Sequence, residues 1–245
     1  MSEPEQEFQI QVQIDEHGIG VLRWEDSVDL DTLHRAVSLA ADDALLGHGL
    51  RRIEVQIPVT DEMARRALHR AGFRREGTRR EVLPVDDGFL DIALYARLAT
   101  DQVYGPGGFS GVMDSVLPKK RLIAHVVFTR ADGRVLLLET TYKDDHELPG
   151  GVVEPGESPR VGATREVTEE IGLVVSLDSP ALVDWMPPYL GWSDAMEFLY
   201  DGGDLDQSAI ETIRLDPREI RQAHWHRAED LDEHVSELSA VSYTH

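Results

Sequence analysis

Glu166, Glu169 and Glu170, in the run REVTEEIG (165–172), set three carboxylates at i, i+3 and i+4. On an α-helix, at about 100° per residue, they fall within an arc of roughly 100° on one face. Like charges at that spacing repel, so the arrangement calls for a positive partner. Three clustered carboxylates make a hard-oxygen site suited to Mg²⁺ or Mn²⁺. Such an ion cancels the repulsion, docks a diphosphate, and can orient and acidify a water molecule. The chemistry these residues point to is metal-assisted cleavage of a phosphoanhydride.

The flanking residues predict a well-bounded helix to carry the three acids. Ser158 suits the N-cap, Pro159 the first turn, and Gly172 the position just past the end. Ala163, Thr164, Val167 and Ile171 fall on the neighbouring face, which burial would anchor. Gly162 lies on the carboxylate face, where a missing side chain is expected to leave space for a ligand. Taken alone, an acidic face in an acidic chain reads as a solvated surface; the wider spacing around it reads otherwise.

The stretch GGVVEPGESPRVGATREVTEEIGL (150–173) resembles the signature of the Nudix hydrolase family, Gly-x5-Glu-x7-Arg-Glu-U-x-Glu-Glu-x-Gly-U with U bulky and aliphatic. Gly151, Glu157, Arg165, Glu166, Val167, Glu169, Glu170, Gly172 and Leu173 occupy its positions. The resemblance covers residues 119–235 and implies an α/β fold, a Nudix α/β/α sandwich with a mixed sheet. It implies Mg²⁺, with Mn²⁺ as a substitute, held by Glu166, Glu169, Glu170 and the carbonyl of Gly150. Arg165 matches an arginine that holds Glu157 or a neighbouring glutamate, so Glu157 and Gly151 are expected to orient the site. Arg165, Glu166, Glu169 and Glu170 form the implied catalytic set. Glu219, six residues before Trp225, matches a further catalytic acid of similar sequences; Glu197 and Glu211 are weaker candidates.

The implied reaction is hydrolysis of a nucleoside diphosphate linked to a group X, giving NMP and X-phosphate. Pro188, fifteen residues after Leu173, resembles ADP-ribose-type enzymes and leans the substrate toward ADP-ribose or a nucleotide sugar. Tyr189 resembles the dinucleoside polyphosphate type. An oxidised (d)NTP as substrate, or nucleotide sensing without hydrolysis, also fits the resemblance. Trp185, Tyr189 and Trp192 could stack on a base. His146 stands where the family often has a tryptophan. His224 and His226 flank Trp225 on one face of a strand; the sequence signals no third ligand for zinc, so they read as exposed histidines of the last strand.

The strands around this helix read from alternation and apolar runs: RLIAHVVFT and RVLLLETT across the turn ADG (131–133), then SPALVDWM, DAMEFLYDG and AHWHR, with a short helix from Ala228. Residues 236–245 read as a C-terminal tail. Upstream, residues 1–100 order as β-β-α-β-α-β-β, with Thr60 as the expected cap of a helix over 61–71. DEMARRALHRAGFRREGTRR resembles the C-terminal part of a GNAT acetyltransferase, with Gly72 and Phe73 at the end of the run. A GNAT enzyme cradles a diphosphate on a glycine-rich turn, whereas RWEDSVDLDTLHRAV has no glycine and several acids, and Leu68 replaces the usual tyrosine. Residues 1–100 are therefore expected to be a partial, GNAT-like and non-catalytic domain, one that could cover the active-site mouth or build a homodimer. Residues 101–118, rich in glycine with two prolines, read as a linker.

The 245-residue chain carries a formal net charge of −22. That field repels nucleic acid and anionic membranes, which leaves a small nucleotide as the expected partner. It has no cysteine, which excludes disulfides and thiolate metal sites. With no apolar leader and no run of about 20 apolar residues, a soluble cytoplasmic protein is expected.

Overall fold

The computed structural model describes residues 8–25, 28–236 and 239. The chain divides into two compact units, Met1–Pro118 and Lys119–His245.

The first unit runs β1 (Gln11–Ile14), β2 (Gly20–Arg23), α1 (Leu30–Asp42), β3 (Arg52–Pro58), α2 (Glu62–Arg70), β4 (Arg74–Val85), β5 (Gly88–Leu98) and α3 (Pro106–Val116). Its sheet has the order β1-β2-β3-β5-β4. Alternation along β3 buries Ile53, Val55 and Ile57, which meet Leu33, Val37 and Ala41 of α1 and Ala64, Ala67 and Leu68 of α2. β2 and β3 are parallel and pair only through Gly20–Ile53 and Val21–Glu54. Beyond that pairing a cleft of about 660 Å³ opens, lined among others by Arg23, Trp24, Gln56, Pro58 and Met63.

Two expectations change here. Asp61, not Thr60, caps α2: its Oδ1 accepts from the Ala64 amide at 2.9 Å. The segment 101–118 is not a bare linker, because α3 occupies most of it and packs on β4. Its glycines serve close approach. A Cβ on Gly108 would stand 2.3 Å from the Val103 carbonyl oxygen, and one on Gly111 would stand 2.5 Å from the Arg74 guanidinium.

The second unit runs β6 (Arg121–Thr129), β7 (Arg134–Thr140), β8 (His146–Glu147), β9 (Gly150–Val152), α4 (Pro159–Ile171), β10 (Leu182–Met186), β11 (Ala195–Asp204), α5 (Gln207–Thr212), β12 (Ile220–Arg227) and a 3₁₀ turn at Ala228–Glu233. The sheet order is β10-β11-β6-β7-β12, with β9 on β6 and β8 on β7. Among the described residues only β11–β6 is parallel, so the sheet is mixed. β6 and β7 pair at their turn, Thr129–Val135, and β9 and β8 take up their partners further along. This splay sets the backbone of Gly150 against His125 of β6.

One face of the sheet carries Ala124, Val126, Phe128, Leu136 and Leu138 against Ala163, Val167 and Ile171 of α4. The other carries Val135, Leu137 and Leu199 against Leu148, Leu231 and Val235. Among the described residues that second face is covered by the 3₁₀ turn and its flank, which departs from two full helical layers. α5 escaped the sequence because its six residues bury nothing and so carry no apolar period. The expected tail at 236–245 lies outside the described residues except Ser236 and Ser239. No helix among the described residues is long and apolar enough to cross a membrane.

Candidate active site

Local signals build α4 as the sequence requires. Ser158 accepts from the Val161 amide at 3.4 Å, Pro159 opens the helix, and Gly172 closes it at φ 72° in the left-handed region. Ala163, Val167 and Ile171 are buried on the sheet, while Thr164 is half-buried and bonds back to the Arg160 carbonyl. The acids then grade in exposure. Glu170 is buried, Glu166 half-buried, and Glu169 exposed.

Arg165 is the positive partner that the spacing demands. Its Nε and Nη2 grip Glu157 at 2.8 and 3.2 Å, and its Nη1 donates to Glu166 at 2.9 Å and Glu169 at 3.0 Å. Nη2 also donates to the Val152 carbonyl at 3.2 Å, which ties the helix to β9. The guanidinium holds the Glu157 carboxyl below the usual carboxylate range. Gly162 does not open room for a ligand. A Cβ there would meet Glu157 Oε2 at 3.0 Å, so the missing side chain admits that carboxylate.

Gly150 and Gly151 bring the loop onto the acids. Gly150 has φ 137°, and a Cβ there would lie 2.2 Å from the Ala124 carbonyl oxygen. Its amide donates to Glu170 Oε2 at 2.8 Å. A Cβ on Gly151 would stand 3.1 Å from the Glu166 carboxyl carbon. Burial, ahead of the neighbouring Glu166, Glu219 and Glu169, pushes Glu170 up to about 8. Burial also raises Glu166, against the pull of Arg165. Burial thus outweighs the pull of Arg165 at Glu166 and of the Gly150 amide at Glu170. That donor set suits a hard divalent cation, which Glu166, Glu169 and Glu170 would share.

Glu219 lies in the turn before β12, where its carbonyl accepts from the Thr141 amide at 2.8 Å. Its charge adds to the rise of both Glu166 and Glu170. Glu197 does not join these acids. It is 1 % exposed on β11, shares the face of Leu199 away from α4, and bonds His125 Nδ1 at 2.7 Å. This buried pair went unread, because an alternating strand gives no sign that two polar inward residues will meet. Glu211 is on α5, bonded to Gln207 at 3.0 Å. Tyr142, also missed, sits within the field of Glu170, Glu219 and Glu166 on the loop after β7.

The aromatic candidates are surface groups. Trp185, Tyr189 and Trp192 are 52 %, 45 % and 61 % exposed. Tyr189 and Trp192 close a tight turn through Leu190 and Gly191, with Pro188 just before it. Trp185 Nε1 donates to Asp194 at 3.0 Å, and the Arg121 guanidinium lies 4.8 Å from the Trp192 ring centre.

His224 and His226 are not simple exposed histidines. Both are half-buried: His224 stacks on His146, and His226 lies against His146, His224 and His234. Burial first, then His234, His146 and His224, holds His226 down at about 4, and burial also lowers His146. In the first unit, the amides at the start of α1 are already taken. Asp29 accepts from Asp31 and Thr32, each at 3.0 Å.

The mixed sheet, the glycine-flanked helix and its arginine-tied glutamates define the class, and the comparisons agree. The NUDIX domain model matches residues 119–243, just over half of the chain, and the chain belongs to that family. It is 46 % identical over 52 residues to a MutT-like protein of Streptomyces ambofaciens, covering 21 % of this chain and 34 % of that one. It is 33 % identical over 109 residues to the NAD-capped RNA hydrolase NudC of Escherichia coli O1:K1, covering 43 % of this chain and 39 % of that one. The chain thus spans less than half the length of either relative. Among solved structures, the MutT protein from Methanosarcina mazei Go1 aligns with a TM-score of 0.44 at 23 % identity, over 52 % of this chain and 93 % of that one.

Proposed function

We propose that the second unit hydrolyses a phosphoric anhydride in a nucleoside diphosphate linked to another group, releasing NMP and X-phosphate. The observation that carries this reading is the set Glu157–Arg165–Glu166–Glu169–Glu170, joined by one guanidinium and closed by the Gly150 amide. Glu166, Glu169 and Glu170 would hold Mg²⁺, with the Gly150 carbonyl as a further ligand. When bound, the ion neutralises the diphosphate and makes a coordinated water a better nucleophile. Arg165 would keep the acids in register and Glu157 would anchor Arg165, while Glu219, whose charge is felt by Glu166 and Glu170, would serve as a further catalytic acid. Water adds its oxygen to one phosphorus, the bridging oxygen leaves with the other, and the proton lost by water ends on the released phosphate or on solvent.

ADP-ribose or a nucleotide sugar is the leading substrate class, with Pro188 and the exposed Trp185 and Tyr189 as the surface that would meet the base. The related NudC is by name an NAD-capped RNA hydrolase, which keeps NADH in the panel of NDP-X substrates to be tested. The first unit is read as a non-catalytic, GNAT-like domain. Asp29 occupies the α1 amides that a coenzyme diphosphate would need, and Leu68 is fully buried where a general acid would stand.

The test incubates the full chain and Mg²⁺ with ADP-ribose, NADH, ADP-glucose, dinucleoside polyphosphates and oxidised dNTPs in ¹⁸O-water. Mass spectrometry should find Mg²⁺-dependent NMP and X-phosphate, one of them carrying ¹⁸O. Binding without any product across the panel would overturn hydrolysis.

A further inference from the structure

We propose that the second unit carries a transition-metal site, distinct from the α4 acids, in which His146, His226 and His234 hold zinc. Alternation along β12 separates it from α4. Trp225 packs into the core beneath α4, while His224 and His226 point to the opposite face, beside Leu137 and Val135. β8 adds His146, and the residue closing the 3₁₀ turn adds His234. The His146 amide donates to the His234 carbonyl at 2.8 Å, which locks these two distant segments side by side.

One nitrogen from each of His146, His226 and His234 lies within 4.8 Å of the other two. Around a tetrahedral ion with Zn–N bonds of about 2.05 Å, nitrogens stand about 3.3 Å apart. Zinc binding would draw these nitrogens together by up to about 1.5 Å. Two atoms of this triad argue for a ligand: His146 Nδ1 and His226 Nε2 are buried and have no hydrogen-bond partner. Buried polar atoms of that kind cost free energy unless something satisfies them. A metal ion between the rings satisfies both.

The flank resembles a ligand-orienting layer. His224 Nε2 bonds Glu139 Oε2 at 3.0 Å, and the His224 ring stacks on His146 with centres 4.5 Å apart. Glu139, His146 and His224 form a second close triad that shares His146, but only the first also holds the second orphaned nitrogen, His226 Nε2. Imidazole donors without thiolate favour zinc, copper or nickel over magnesium, the reverse of the preference of the α4 carboxylates. The ion would therefore clamp the last strand and the turn after it onto β8, and it would not compete with Mg²⁺.

The test is calorimetric titration of Zn²⁺ into the full chain, stripped with chelator and then held in excess Mg²⁺, alongside melting curves. One Zn²⁺ should bind per chain and raise the melting temperature. His226→Asn and, at the half-exposed turn, His234→Gln should each weaken binding by at least about 100-fold, and His224→Gln by about tenfold. Glu169→Gln should leave zinc binding unchanged. Where a histidine variant fails to fold, Co²⁺ added to the unaltered chain should give the intense visible bands of a four-coordinate site built on three histidine nitrogens. Zinc binding lost in Glu169→Gln, undiminished in His234→Gln, or absent altogether would overturn the proposal, as would a Co²⁺ spectrum of the weak octahedral type.

Discussion

The Gly150 amide donates to Glu170 Oε2 at 2.8 Å, so a glycine of β9 fixes one oxygen of a buried acid near the C-terminal end of α4. The bond lowers the pKa of Glu170, yet burial outweighs it and leaves the group at about 8 against an ordinary 4.5. Folded protein without metal therefore binds a proton there that the unfolded chain has released. Between those two values the folded state holds more protons, and its stability falls as pH rises. The melting temperature of metal-free Glu170→Gln minus that of the natural chain should grow from pH 5 to pH 8; a difference that shrinks would contradict the argument. If Glu170 holds Mg²⁺ as proposed, it must do so ionised, so Mg²⁺ binding at pH 7 should release a proton, measurable by calorimetry in buffers of different ionisation enthalpy. The same variant should lose turnover by at least about 100-fold, since even outer partners of a metal ligand cost 10–100-fold.

Arg165 makes a separate case, because its role depends on shape as well as charge. Its planar fork reaches Glu157 through two nitrogens and Glu166 and Glu169 through a third. Lysine keeps the charge but not the fork. Arg165→Ala should lower kcat/KM by about 100-fold, as expected for misplaced catalytic groups, and Arg165→Lys should recover little of it. Full recovery by lysine would reduce Arg165 to a counter-charge. Steady-state kinetics at saturating Mg²⁺ decides between them.

How much of this could be read in the sequence follows from how local each feature is. α4 announces itself because cap, acids and closing glycine lie within one short run. The four-histidine cluster does not, since His146 and His234 reach His224 and His226 only through strand pairing and a turn across the sheet. The Glu197–His125 pair is hidden for the same reason. Glycine misled twice. At Gly162 and in residues 105–111 its absent side chain reads as open space or a break, but it admits Glu157, the Val103 backbone and Arg74. A sequence shows that a Cβ is missing and cannot show what fills its place.

Gly150 tests that distinction by stability alone. Its Cβ would collide with Ala124 backbone at 2.2 Å and its φ is positive, whereas Gly133 has φ 78° with nothing near. Gly150→Ala should cost about 3 kcal/mol from overpacking plus backbone strain, and Gly133→Ala about 1 kcal/mol from strain only. Urea denaturation of both variants measures the gap. Equal losses would mean that β9 does not press against β6.

Adjacent glycines in α3 make the sharpest comparison. Added at Gly107, a Cβ would meet the Gln102 Oε1 atom at 2.1 Å, the movable end of a flexible side chain. At Gly108 it would meet Val103 backbone atoms at 2.3 and 2.4 Å, which cannot swing away. Gly107→Ala should therefore be neutral, or stabilising by up to about 1 kcal/mol through helix propensity. Gly108→Ala should cost about 2 kcal/mol by overpacking, or lift α3 off the segment before it. Hydrogen exchange across residues 106–116 reads both outcomes, protection holding in the first variant and falling in the second. If both behave alike, the segment is the unstructured tether its composition suggests, and its glycines provide flexibility only.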